Sequence, residues 1–211
     1  MDRKKLLGSI EEMLKEKGKR KFTQSVEAIF NFRGIDFSKP ENRLNLDVPL
    51  PNGKGSKEPK VVVIAEADMG GTAKKAGADS VVSVDEMVEY KENPEKLKKL
   101  VSESVFLAQH KLIGQGAKNF VQYLAVRGKM PKPLVGNPEN AIKVAKRSVR
   151  IASKGKYMPV AQVLVGAENM EPKEIAENIE AVHEAIKNKT GASSIKSAYV
   201  KLTMGKAVKV M

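Results

Sequence analysis

The sequence contains no cysteine, which removes disulfides, zinc ribbons and thiolate nucleophiles from consideration at once. Histidine is almost as scarce: only His110 and His183 occur, far apart in the chain. A metal site would have to be assembled almost wholly from carboxylates, and none of these has metal-loop spacing. Long apolar runs are missing too. The most conspicuous, Val61–Ala65, is far short of the roughly 20 residues of a membrane span. The N-terminal stretch MDRKKLLGSIEEMLKEKGKRK is charged throughout and lacks the apolar centre of a secretory signal. These absences point to a cytoplasmic protein with no cofactor and no membrane partner.

Basic charge, by contrast, is abundant. The 211 residues carry a net charge of +13, which suggests a polyanionic partner, most often nucleic acid. A Lys- and Glu-rich thermophilic surface is the other source of such a count. The excess is uneven: residues 111–156 hold eleven basic side chains against one acid, Glu139. That segment is expected to form a strong positive patch.

Periodicity divides the chain by texture. Leu6, Leu7, Ile10, Met13 and Leu14 fall at helical spacing before Gly18. SVEAIFNF and LNLDVPL then alternate as half-buried antiparallel strands, and PNGKGSKEP (51–59) has the composition of a linker or mobile loop. From VVVIA onward apolar runs alternate with helical segments (near 70–77, 94–101, 112–126 and 138–147), the pattern of a parallel α/β sheet. The first texture returns with PVAQVLVG, an amphipathic helix from Pro172 with Ile175, Ile179, Val182 and Ile186 inward, and a final strand SAYVKLTMG. The expected architecture is therefore discontinuous. A split α+β sandwich domain (1–58 plus 157–211) holds an inserted, Rossmann-like three-layer α/β domain (59–156). On those boundaries the split domain has a net charge near +5 and the insert +8.

Candidate catalytic chemistry is thin. The Gly-Gly after VVVIA invites a nucleotide-binding enzyme as the alternative reading, yet neither G-x-G-x-x-G nor a P-loop is present. Glycine packing inside an α/β layer accounts for it. No nucleophile–base–orienter set can be assembled around His110, and Asp68, Asp79, Asp85 and Glu86 read as helix and loop caps. The last strand is more informative. Ser197, Tyr199, Lys201 and Thr203 alternate outward, with Ser25 and Glu27 of similar character near the other end of the chain. Hydroxyl, carboxylate and ammonium groups on one face are either a solvated sheet or a surface able to bond ribose 2′-hydroxyls. Gly205 would let a nucleotide backbone come close.

The segments KFTQSVEA (21–28), GID (34–36), LPNGKG (50–55), GKMPKP (128–133) and SAYVKLTMG (197–205), in this order along nearly the whole chain, resemble the large-subunit ribosomal protein L-one family. Lys206 stands where bacterial members usually have Pro, and Ala125-Val126 where Gly-Pro often precedes Arg-Gly; both look like the archaeal branch. The resemblance implies a non-enzymatic protein of the large subunit that binds the stalk region of its rRNA. It further implies help in releasing deacylated exit-site tRNA, repression of its own mRNA, and a monomer outside the ribosome. Carried over by position, the RNA site comprises Lys21, Phe22, Ser25, Glu27, Ser197, Thr203, Met204 and Gly205. Lys143, Lys146, Arg147 and Arg150 form a secondary basic patch.

Overall fold

The computed structural model describes residues 2–55, 58–83, 86, 94–115, 124–125, 128–153 and 159–211. The chain divides into two compact units, one of residues 1–57 with 147–211 and the other of residues 58–146.

In the first unit, helix α1 (Arg3–Leu14) starts where the Asp2 side chain accepts from the Lys4 N–H, and it buries Leu6, Ile10 and Met13. Strands β1 (Ser25–Phe32), β8 (Val160–Ala167), β9 (Ile195–Leu202) and β10 (Val208–Lys209) form an antiparallel sheet in the order β10-β9-β1-β8. Alternation along β1 sends Val26, Ala28, Phe30 and Phe32 to one face, as the period of two requires. Ala198, Val200 and Leu202 of β9 join them in the same core. Helix α6 (Pro172–Thr190) covers this face with Ile175, Ile179, Val182 and Ile186, packing beside α1. Pro172 and the reciprocal Glu171–Glu174 capping box fix where α6 begins.

A second antiparallel pair, β2 (Asn45–Pro49) with β7 (Ser148–Ala152), closes the same core through Val48, Val149 and Ile151. This moves the second domain boundary. Residues 147–153, expected in the insert, belong structurally with the split unit because β7 has its ladder partner there. The charge moves with them. The observed first unit holds 24 basic and 14 acidic side chains, net +10, and the second holds 14 and 11, net +3.

Residues 51–55 also depart from the linker reading. Asn178 of α6 is fully buried; its amide oxygen accepts from the Asn52 N–H at 3.1 Å, and its amide nitrogen donates to the carbonyls of Gly53 and Val165 at 2.9 and 2.8 Å. Val165 is the extra residue of a β-bulge, since Val26 pairs with Gly166 and Glu27 with Leu164. One buried amide thus holds the loop and serves the bulge. Gly55 closes against Met170: at φ 63° it lies where a Cβ would stand 2.3 Å from the Met170 sulfur.

The second unit has a parallel sheet in the order β4-β3-β5-β6, with β3 Lys60–Ile64, β4 Ser80–Val82, β5 Ser104–Ala108 and β6 Lys132–Pro133. Helices α2 (Ala67–Lys75), α3 (Pro94–Glu103), α4 (His110–Gln115) and α5 (Pro138–Arg147) occur between or after its strands. One sheet face buries Val62, Ile64, Phe106, Leu97 and Val101, and the other Val61, Val63, Ala73, Leu107 and Ile142. The result is a doubly wound, three-layer α/β unit. Gly70, the first of the Gly-Gly pair, serves packing here: a Cβ on it would stand 3.0 Å from Val81 of β4, whereas one on Gly71 would meet nothing within 4 Å. Most of the expected helix over 112–126 lies outside the described residues, as does Asp85. Glu86 does cap, exchanging backbone-to-side-chain hydrogen bonds with Ser83, whereas the Asp79 carboxylate accepts from the Val61 N–H at 2.8 Å.

Candidate nucleic-acid interface

Seven of the eight expected RNA-site residues gather at one end of the first unit's sheet. Glu27 faces Lys201 across the β1–β9 ladder, and Ser25 meets Thr203 where the ladder ends. Beyond that point the Leu202–Gly205 turn closes with a 2.9 Å bond from the Gly205 N–H to the Leu202 carbonyl. Lys21 is exposed. Phe22 and Met204 are 53% and 58% exposed. Two large apolar side chains, one just before β1 and one just after β9, are thus left in water and forgo burial energy of about 25 cal/mol per Å².

Several details differ from the sequence reading. Ser197 does not stand outward in water; it is 9% exposed and its hydroxyl accepts from the Asn31 amide at 3.0 Å. It lies at the opposite end of β9, opposite Asn31 in the register. The Thr203 hydroxyl is engaged with the protein, accepting from the Ser25 N–H and donating to the Ser25 carbonyl, each at 3.2 Å. Gly205 has no positive φ. A side chain there meets crowding rather than strain, with a Cβ placed 3.0 Å from a Glu16 carboxylate oxygen and 3.1 Å from Leu202 Cβ.

Two residues that the sequence reading passed over hold this end together. Gln24, only 2% exposed, accepts from the Met204 N–H at 3.1 Å and donates to the buried Glu168 carboxylate at 3.3 Å. A signal was present in the sequence: a long polar residue one place before β1, where the alternation continues the inward set Val26, Ala28, Phe30.

The secondary basic set is divided. Lys143 and Lys146 belong to the second unit, Arg147 and Arg150 to the first. Lys146 pairs with Asp79 at 3.4 Å, and the Arg150 Nε donates to the Asn45 side chain at 2.8 Å. Lys143 and Arg147 are exposed. Lys129, another cation of the 111–156 segment, turns onto the carbonyls of Val101, Ser102 and Ser104 at 2.6, 2.7 and 3.2 Å, completing the end of α3. Part of that segment's charge is thus structural.

His183 of α6 sits 6.3 Å from the Phe30 ring, and burial, with the positive charge of Lys187 nearby, holds its pKa below the ordinary value. No helix among the described residues is long and apolar enough to cross a membrane.

The fold and this surface together define a split α+β unit, basic and carrying an exposed polar–apolar sheet end, into which a doubly wound α/β unit is inserted. The chain belongs to the ribosomal protein L1p/L10e family, whose model matches residues 14–206. It is 40% identical over 215 residues to the large ribosomal subunit protein uL1 of Thermococcus kodakarensis, covering 99% of this chain and 98% of the relative. The protein of that name from Pyrococcus abyssi is 41% identical, with 99% and 96% covered. The one from Archaeoglobus fulgidus is 37% identical, with 100% and 99% covered.

Proposed function

We propose that this chain is a non-enzymatic component of the large ribosomal subunit in the cytoplasm, binding the stalk segment of large-subunit rRNA through the Lys21–Glu27 and Lys201–Gly205 sheet end. The observation that carries the reading is the pair of exposed apolar side chains, Phe22 and Met204, on a firmly held sheet end of a unit with net charge +10. Phosphate contacts from lysines supply affinity without sequence preference, and a shaped surface supplies discrimination. Phe22 offers a face on which a base or sugar can stack. Glu27, half-buried, presents a carboxylate that can accept from a ribose 2′-hydroxyl.

Release of deacylated tRNA from the exit site and repression of the chain's own mRNA belong to the same reading. Repression follows if the surface recognises one RNA shape, which an mRNA segment is able to imitate. Family membership, and names of ribosomal proteins throughout the relatives above, support the ribosomal part.

Filter binding of the full chain to a transcript of the stalk rRNA, against a scrambled transcript of equal length, tests the proposal. Tighter binding to the stalk transcript than to the scrambled one is expected. Equal affinity for both transcripts would overturn it.

A further inference from the structure

We propose that Gln24 and Glu168 are positioning residues for RNA binding, a buried relay that sets the geometry of the Thr203–Gly205 turn without touching the RNA. This rests on the reading of that sheet end as the RNA surface. Lys21, Phe22 and Thr23 are all exposed, and the chain then buries Gln24 almost completely. The Gln24 amide has both ends engaged: its oxygen accepts from the Met204 N–H at 3.1 Å and its nitrogen donates to Glu168 Oε2 at 3.3 Å. The Gln24 carbonyl also accepts from the Glu168 N–H at 2.9 Å.

These bonds fix the direction of the amide. Rotating it by half a turn would set its oxygen against the Glu168 carboxylate and its NH2 group against the Met204 N–H. Glu168 is itself only 7% exposed and begins the connection from β8 to α6. The relay therefore ties the turn after β9, the start of β1 and the end of β8 into one unit. Next to the turn, the Glu16 carboxylate accepts from the Lys206 N–H at 3.4 Å. Met204 is left with its backbone fixed and its side chain exposed. A surface ordered before binding does not spend association energy on ordering itself, and tenths of an ångström in a recognition turn are set by the groups behind it.

The chemistry of the relay allows a reciprocal exchange. Gln24→Glu keeps the acceptor for the Met204 N–H but sets two carboxylates together in a buried place, which repel. Gln24→Glu combined with Glu168→Gln restores the pair with donor and acceptor exchanged: the new amide donates, the new carboxylate accepts, and the Met204 N–H keeps its partner. Full-length parent, single and double variants are compared at pH 7.5 by filter binding to the stalk transcript and the scrambled control, with amide exchange followed at Met204.

The single variant is expected to lose at least about tenfold in specific affinity, with faster Met204 exchange and unchanged binding to scrambled RNA. The double variant should return to within about threefold of the parent. Parent-like specific binding by Gln24→Glu overturns the proposal. So does a folded double variant that remains as weak as the single one, and this arm decides the matter if Gln24→Glu fails to fold. If the parent itself does not prefer the stalk transcript, the RNA reading fails, and exchange at Met204 alone reports on the relay: fast in the single variant and slow in the double supports it, equal rates overturn it.

Discussion

The hydroxyl of Thr203 bridges both backbone groups of Ser25, accepting from its N–H and donating to its carbonyl at 3.2 Å each. The Thr203 N–H reaches the same carbonyl at 3.0 Å. One side chain therefore completes the β1–β9 ladder where backbone pairing runs out, and it belongs to the same turn that carries Met204.

Thr203→Val keeps shape and β-branching but leaves the Ser25 N–H without its acceptor. Unfolding free energy is expected to fall by about 1–2 kcal/mol, with specific RNA affinity falling alongside. Thr203→Ser, which keeps the hydroxyl, should recover most of both. Urea titration and filter binding on the same preparations check this. A valine variant as stable as the parent would show that the bridge contributes nothing.

Asn178 satisfies one N–H and two carbonyls from a fully buried position. Asn178→Leu, close in volume, strands all three. Each buried polar group left without a partner costs about 1–3 kcal/mol, so a loss of several kcal/mol is expected by urea denaturation. Amide exchange at Asn52 should also become fast. Slow exchange there in the variant would mean that the loop is held by something else.

Excising the inserted unit at two different points tests where the split unit ends. Residues 1–57 joined by a short linker to 147–211 should fold and bind the stalk transcript with nearly the salt dependence of the full chain, because this unit carries the greater part of the net charge. Joining to 157–211 removes β7 and uncovers Val48, so its circular dichroism melt should come at a lower temperature. Removing Arg147, Arg150, Lys154 and Lys156 with that segment should also lower the log–log salt slope, by roughly 0.7–0.9 for each phosphate no longer neutralised. Equal melts and slopes for the two shortened chains would contradict the placement of β7.

His183 ties stability to pH. Its folded-state pKa is lowered, by burial first and by nearby positive charge second. The unfolded chain, with a pKa of about 6.5, therefore takes up this proton more readily than the folded one. The contribution is whole above the unfolded value and is lost as pH falls through the lowered folded value. Urea midpoints of the parent should drop from pH 7 to pH 5, and His183→Gln should show a smaller drop. An unchanged difference between the two pH values in the variant would rule this out.

Much of the architecture was legible in the chain itself. Period-two alternation at Val26–Phe32, the continuous apolar run of β3 and the helical stripe Ile175–Ile186 each dictate an element, because burying one face demands that spacing. Clustered motifs at 21–28 and 197–205 already marked the candidate surface. What the tertiary structure alone decided were relationships between residues remote in sequence. Local pattern is silent on which strand β7 pairs with, and that pairing moved the boundary and placed the basic surplus on the split unit. It is equally silent on whether a hydroxyl faces water or a neighbouring strand, as Ser197 and Thr203 illustrate with Asn31 and Ser25. Alternation puts Gln24 on the inward side, but its partners exist only once folding brings Met204 and Glu168 to the two ends of its amide. Periodicity reports which face a side chain takes, whereas a hydrogen bond needs a partner whose position only the folded chain supplies.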